Sequence, residues 1–261
     1  MEVSQWTLRF LGYEPVDEAL DDRMRRIASE AHRIPEEAMH LDEQAGVLTI
    51  DCQKIPAWRN GATDRLRTVR VGKSFVVRPP WISESVAAHE RLIEIDPAGA
   101  FGSALHETTQ LCLSAIESYP PNGRRVLEIG TGSGVLAIAA AKCGASSVVA
   151  VDVDPVAVES ARANVLRNRV QDVIQVSLSE GSPGWDGEFD AVIANITHEV
   201  LMNLRDAIKE ALRPGALLIA SGISARFWDE FVLALSAVGI DPIEQFNQPP
   251  WSSLIGRRRI S

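Results

Sequence analysis

The sequence predicts an α/β protein centred on a doubly wound, mostly parallel sheet, and three observations carry that prediction. A short apolar run, Val126–Ile129, stops at a glycine turn; an apolar stretch to Cys143 and a β-branched run ending in acid, Val148–Asp152, come next. Apolar runs and amphipathic stretches then alternate as far as Gly239, the signature of successive βα units on a parallel sheet. Last, Ile240–Phe246 and Ser252–Arg258 follow each other with no helix between them. The sheet should therefore have seven strands and close on a hairpin, with one strand antiparallel to the rest.

Each element has a local reason. Leu136–Ala141 is apolar all round, as a helix packed on a sheet should be, and Gly144 suits its C-terminal cap. Before that helix, Gly130, Gly132 and Gly134 permit backbone angles closed to other residues and let a ligand approach the main chain. The helix turns its free N–H groups and positive dipole end to the same place. Asp152 stands about twenty residues after the first glycine, at the carboxyl end of the next strand, where it can accept hydrogen bonds from ribose hydroxyls. The stretch reads as a nucleoside site.

Spacing narrows the nucleoside. The glycines run Gly-x-Gly-x-Gly, and Val135 stands where the dinucleotide fingerprint has its third glycine. Glu128 precedes the turn by two residues. An acid facing the ligand tolerates a cation better than a pyrophosphate. These features favour S-adenosylmethionine, which carries an ammonium and a sulfonium, as the cofactor. The alternative is an NAD-dependent dehydrogenase, but the only tyrosines, Tyr13 and Tyr119, make no Tyr-x-x-x-Lys pair.

Beyond Asp152, Pro155–Asn168 reads as an amphipathic helix, 173–176 as a third strand and Phe189–Asn195 as a fourth with a polar end. His198–Leu212 is a helix stopped by Pro214-Gly215; Ala216–Ser221 is a fifth strand and Ala225–Val238 another helix. Residues 110–261 thus form a catalytic domain with the strand arrangement of S-adenosylmethionine-dependent methyltransferases.

Upstream, residues 1–82 read as a small α/β substrate-recognition unit. Trp6, Leu8 and Phe10 alternate as on a strand; Leu20, Met24, Ile27, Ala28 and Ala31 share a helix face; Val47–Ile50 is a strand. Val69–Val77 is a hairpin turning at Gly72-Lys73, and Pro79-Pro80-Trp81 ends the unit. Residues 83–109 are a linker and lid: a strand at Leu92–Ile95, then the glycine-containing Asp96–Thr109, running into a helix at Glu107–Ser118.

Composition excludes several classes. The 261 residues, 46% hydrophobic and 23% charged, suit one large domain and a smaller one. A net charge of −9 argues against a surface that coats nucleic acid, and Arg257–Arg259 reads as the solvated end of a last strand. Cys52, Cys112 and Cys143 lack metal-ligand spacing and sit in apolar contexts, as reduced thiols of a cytoplasmic protein do. No secretory signal is read at the start, and no apolar run is long enough to span a bilayer, so no membrane partner is expected.

With these motifs in place, the chain resembles the PrmA family, which methylates lysine and N-terminal amines of protein eleven of the large ribosomal subunit. The matching stretches are Val71–Trp81, Asp96–Thr109, Glu128–Gly134, Val151–Pro155, Ala194–Ile196 and Ser221–Ile223, within roughly residues 56–261. The resemblance implies a ribosomal protein as substrate and cofactor contacts at Thr109, Gly130, Asp152 and Asn195; the glycine turn adds Gly132. The chain departs from the family at Ser103, Ala104, Leu105 and Glu107, within a stretch that usually reads Phe-Gly-Thr-Gly-Thr-His-Pro-Thr-Thr. Thr197, His198 and Glu199 replace a small apolar loop, and the N-terminal unit is shorter than the family's recognition domain. Another protein, or a small molecule, is the alternative methyl acceptor.

The chemistry needs alignment above all, because a sulfonium methyl is already activated. Asn195, at the end of the fourth strand, is the expected catalytic residue, its side-chain oxygen accepting an amine hydrogen. His106 and His198 are candidate proton acceptors, each with a capping or loop role as the alternative. Trp81 and Trp251 either border a substrate mouth or pack in the core.

Overall fold

A computed structural model describes residues 5–9, 39–42, 47–51, 67–96, 106–179 and 188–260. By its contacts the chain divides into Met1–Leu66 and Arg67–Ser261. In the first unit β1 (Gln5–Arg9), β2 (Met39–Asp42) and β3 (Val47–Asp51) form an antiparallel sheet in the order β1-β3-β2. The strands expected around Trp6 and Val47 are present, whereas β2 is too short for its alternation to register. The helix expected through Leu20 and Met24, and Cys52, lie outside the described residues.

The second unit begins with a three-stranded sheet. β4 (Val69–Val71) and β5 (Phe75–Arg78) are antiparallel, and β6 (Arg91–Glu94) lies parallel to β5. Val71, Phe75, Val77, Ile93 and Ile95 are buried in one core with α1 (Glu107–Ser118) and the main sheet. By contacts the hairpin thus groups with the second unit, which begins at Arg67. The Gly72 hairpin is also tied to α1 by polar contacts: the Lys73 N–H and the Ser74 hydroxyl donate to Glu117 at 2.7 and 2.5 Å.

Seven strands make the main sheet: β7 (Arg125–Ile129), β8 (Ser147–Asp152), β9 (Ile174–Leu178), β10 (Phe189–Asn195), β11 (Leu212–Ser224), β12 (Ile240–Gln248) and β13 (Trp251–Arg258). Their order is β12-β13-β11-β10-β7-β8-β9, and β13 alone runs against its neighbours. Helices α2 (Val135–Lys142), α3 (Pro155–Arg167), α4 (His198–Ala211) and α5 (Trp228–Ala237) cover the two faces. One core holds residues of α1, α2 and α3; the other holds residues of α4 and α5. Strand alternation feeds both: Val126, Ile193 and Leu217 enter the first, while Leu127, Val192 and Leu218 enter the second.

Two boundaries differ from expectation. β11 starts straight off α4 at Leu212, and its register against β10 shifts across the Pro214-Gly215 corner, where Gly215 has φ +80°. A short 3-10 turn, Ala225–Phe227, precedes α5.

Candidate active site

The sheet order reverses between β7 and β10, so the loops leaving these strands diverge and open a crevice at their carboxyl ends. The glycine turn lies there, with Gly130, Gly132 and Gly134 at φ +73°, +56° and +84°. Its N–H groups at Gly130 and Thr131 donate to the Val151 carbonyl at 2.9 and 3.0 Å, tying the turn to β8. The Gly132 N–H donates to Asp152 Oδ2 at 2.8 Å, and the Asp154 N–H donates to Oδ1 at 3.0 Å. Both carboxylate oxygens are thereby oriented, and each keeps capacity for another donor.

The crevice has a second wall in the loop after β10. A carbon added at Gly130 would run into the Ile196 side chain, and one added at Gly222 would run into the Ile196 main chain. Ile196 is clasped between the two glycines, which fixes the loop carrying Asn195. The sequence reading missed this; two glycines at the carboxyl ends of nearby strands were the available signal.

Glu128 is not where the motif reading placed it. Its side chain is buried, only 1% exposed, and its Oε2 accepts from the Thr131 hydroxyl at 2.5 Å and the Ala137 N–H at 3.1 Å. It holds the turn and the start of α2 from within, and burial pushes its pKa up to about 8. Turned inward and bonded to the turn and to α2, the side chain does not face the ligand as the motif reading expected.

Thr109 and Asn195, 86 residues apart, meet: Asn195 Nδ2 donates to the Thr109 hydroxyl at 3.3 Å. Thr109 is buried in the first turn of α1. It does not cap that helix; His106 does, its Nδ1 accepting from the Thr108 N–H at 3.3 Å and lying 2.8 Å from the Thr108 hydroxyl. The Nδ1 lone pair is thus engaged, which leaves His106 the capping role rather than that of a proton acceptor. His198 is buried against α5 and the turn before it, stacked on Phe227 at 4.4 Å and edge-on to Phe231 at 6.2 Å. That packing favours a structural part for it too. Trp251 is half-buried, its ring 5.5 Å from His106, whereas Trp81 is 50% exposed and so not a core residue. Residues 97–105, which include Ser103, Ala104 and Leu105, lie outside the described residues.

The expected site residues Thr109, Gly130, Gly132, Asp152 and Asn195 therefore belong to two bonded pairs and one turn at the same edge of the sheet. Main chain freed of side chains and a carboxylate with capacity to spare suit the sugar and linkage of a nucleoside cofactor.

A family model described as "Ribosomal protein L11 methyltransferase (PrmA)" matches residues 14–259. The chain belongs to this family. The match reaches further towards the N-terminus than the motifs alone, which begin near residue 56. A curated ribosomal protein L11 methyltransferase of Chloroflexus aurantiacus is 39% identical, covering 77% of this chain and 69% of its own length. One of Pelotomaculum thermopropionicum is 36% identical over 95% of this chain and 79% of its own. Among solved structures, a ribosomal protein L11 methylase of Lactobacillus delbrueckii subsp. bulgaricus aligns with a TM-score of 0.67 at 30% identity, over 74% of this chain and 99% of that one. The family places the chain among the methyltransferases, and the sheet is the one typical of them.

Proposed function

We propose that this methyltransferase moves a methyl group from S-adenosylmethionine to an amine of a ribosomal protein, the counterpart of the L11 named for its relatives. The observation that carries the reading is the meeting of Thr109 with Asn195 and of Gly132 with Asp152 at one edge of the sheet.

When bound, S-adenosylmethionine supplies a methyl group activated by its sulfonium. Asp152 would accept from the ribose hydroxyls, and the main chain at Gly130 and Gly132 would lie against the rest of the nucleoside. The Thr109 hydroxyl, bonded to Asn195, would be offered to the cofactor's amino acid end. With its nitrogen committed to Thr109, Asn195 keeps its side-chain oxygen to accept an amine hydrogen and aim the nitrogen lone pair. A lysine amine, with a free pKa near 10.4, must arrive neutral, and an apolar entrance lowers that value.

A cytoplasmic location without a nucleic-acid partner is part of this proposal. Among the described residues no helix is long and apolar enough to cross a membrane. The three C-terminal arginines are engaged: Arg257 donates to the Gly215 carbonyl, Arg258 to those of Lys209 and Leu212, and Arg259 pairs with Asp241.

The test is incubation with methyl-labelled cofactor and a ribosomal extract from cells lacking this protein. Label on lysine or N-terminal amines of one ribosomal protein is expected, and label confined to small molecules would sink the substrate reading. Asn195→Ala should lower kcat by roughly 10²-fold, on the scale of losing one positioned group at a reacting centre. Full turnover in that variant would remove Asn195 from the chemistry.

A further inference from the structure

Asn164 lies in the middle of α3, is completely buried, and its side-chain hydrogen bonds go to Asp96 and Ser133 rather than to the residues assigned to the cofactor. Its carboxamide bonds three main-chain groups from distant parts of the chain. Oδ1 accepts from the Asp96 N–H at 3.0 Å, while Nδ2 donates to the Asp96 carbonyl at 2.9 Å and to the Ser133 carbonyl at 3.0 Å. Ser133 belongs to the glycine turn, and Asp96 is the last described residue before 97–105.

Neighbouring contacts reinforce both ends of this bridge. One helical turn earlier, Ala161 lies so close to Gly134 that an added carbon there would sit 3.3 Å from the Ala161 Cα. One turn later, Arg167 lies 3.6 Å from the Asp96 carboxylate. A second asparagine, Asn168, makes a similar clasp one step back: its Oδ1 accepts from the Glu94 N–H at 3.0 Å and its Nδ2 donates to the Glu94 carbonyl at 2.7 Å. Asn168 has no bond to the glycine turn among the described residues, since its remaining bond is to the Asn164 carbonyl.

We infer that Asn164 is a positioning residue for cofactor binding: its one amide fixes the glycine turn against the start of the segment that enters α1. The bridge is direct, with no intervening residue, so an altered turn and an altered Asp96 cannot be independent. A buried amide is suited to this because it satisfies a donor and two acceptors at once without burying charge. The neighbouring asparagine provides an internal control, because it holds Glu94 at the end of β6, two residues before Asp96, but not the turn.

This inference rests on the nucleoside reading of the site, and the experiment separates the two. S-adenosylmethionine affinity is measured by calorimetry for the unmodified protein, Asn164→Asp, Asn164→Ala and Asn168→Asp, with the melting temperature of each recorded without cofactor. No binding by the unmodified protein would sink the nucleoside reading. If it binds, the Asn164 variants should bind roughly 10- to 100-fold more weakly, the range for one or two lost hydrogen bonds, with Asn168→Asp within about threefold. Equal affinity in all four, or losses that merely follow melting temperature, would overturn the inference. Hydrogen exchange in the unmodified protein covers the case in which a variant does not fold. Cofactor should slow exchange of the Asp96 amide, held by Asn164, and leave the Glu94 amide, held by Asn168, unchanged; equal responses would overturn the inference as well.

Discussion

The two ends of the main sheet handle polar groups in opposite ways. At the carboxyl ends of β7, β8 and β10, Glu128, Thr131, Thr109, Ser133 and Asn164 are buried and hydrogen-bonded within the protein, to side chains and to main chain. At the amino ends, Arg213 pairs with Asp190 and Arg259 with Asp241 in exposed ion pairs. Exposed pairs contribute little to stability and tolerate change. Buried polar groups are costly unless fully satisfied, so an edge that carries many of them is held in one arrangement. The contrast separates a preorganised edge from a solvated one, and the residues proposed to hold the cofactor all lie at the former.

Substitutions graded across the two ends sharpen that contrast. The largest loss of stability is expected for Gly222→Ala. Gly222 has φ +91°, and the new methyl group would meet the main chain of Ile196, which cannot rotate away. A stability loss of about 3 kcal/mol in urea unfolding is expected from the strained backbone and the displaced loop; unchanged stability would show that Ile196 is not clasped.

Glu128→Gln should act through pH. The Glu128 pKa is raised from 4.5 to about 8 by burial, against the opposing bonds from Thr131 and Ala137. A raised pKa means the group's contribution to stability is complete below pH 4.5 and is lost as pH rises through about 8. The neutral isostere removes that loss, so its stability relative to the parent protein should climb across this window, by at most about 5 kcal/mol. Parallel stability curves from pH 5 to pH 9 would contradict the buried placement. At the far end, Arg259→Ala breaks only an exposed pair with Asp241, and its melting temperature should match the parent's.

Much of this architecture was legible in the sequence where local chemistry decides. β10 and α1 fall at Phe189–Asn195 and Glu107–Ser118 as expected, because a β-branched run with a polar end and a helix closed by Pro120-Pro121 are punctuated locally. The glycine turn and Asp152 were legible for the same reason. Non-local packing was not. Pro79-Pro80-Trp81 read as the end of the small unit, yet the hairpin's apolar face is covered by α1 and the main sheet. A motif fixes the position of Glu128 but not its rotamer, and burial turned the side chain inward. Asn164 and Asn168, four residues apart within an amphipathic helix, were a usable sign of main-chain clasps that the periodicity reading passed over.

Calorimetric titration of S-adenosylmethionine into the unmodified protein and into Asp152→Ala tests the central claim most directly. Saturable one-to-one binding that is lost on removing this carboxylate is the predicted result. No binding by either protein, or equal binding by both, would contradict a nucleoside held at the carboxyl edge of β8.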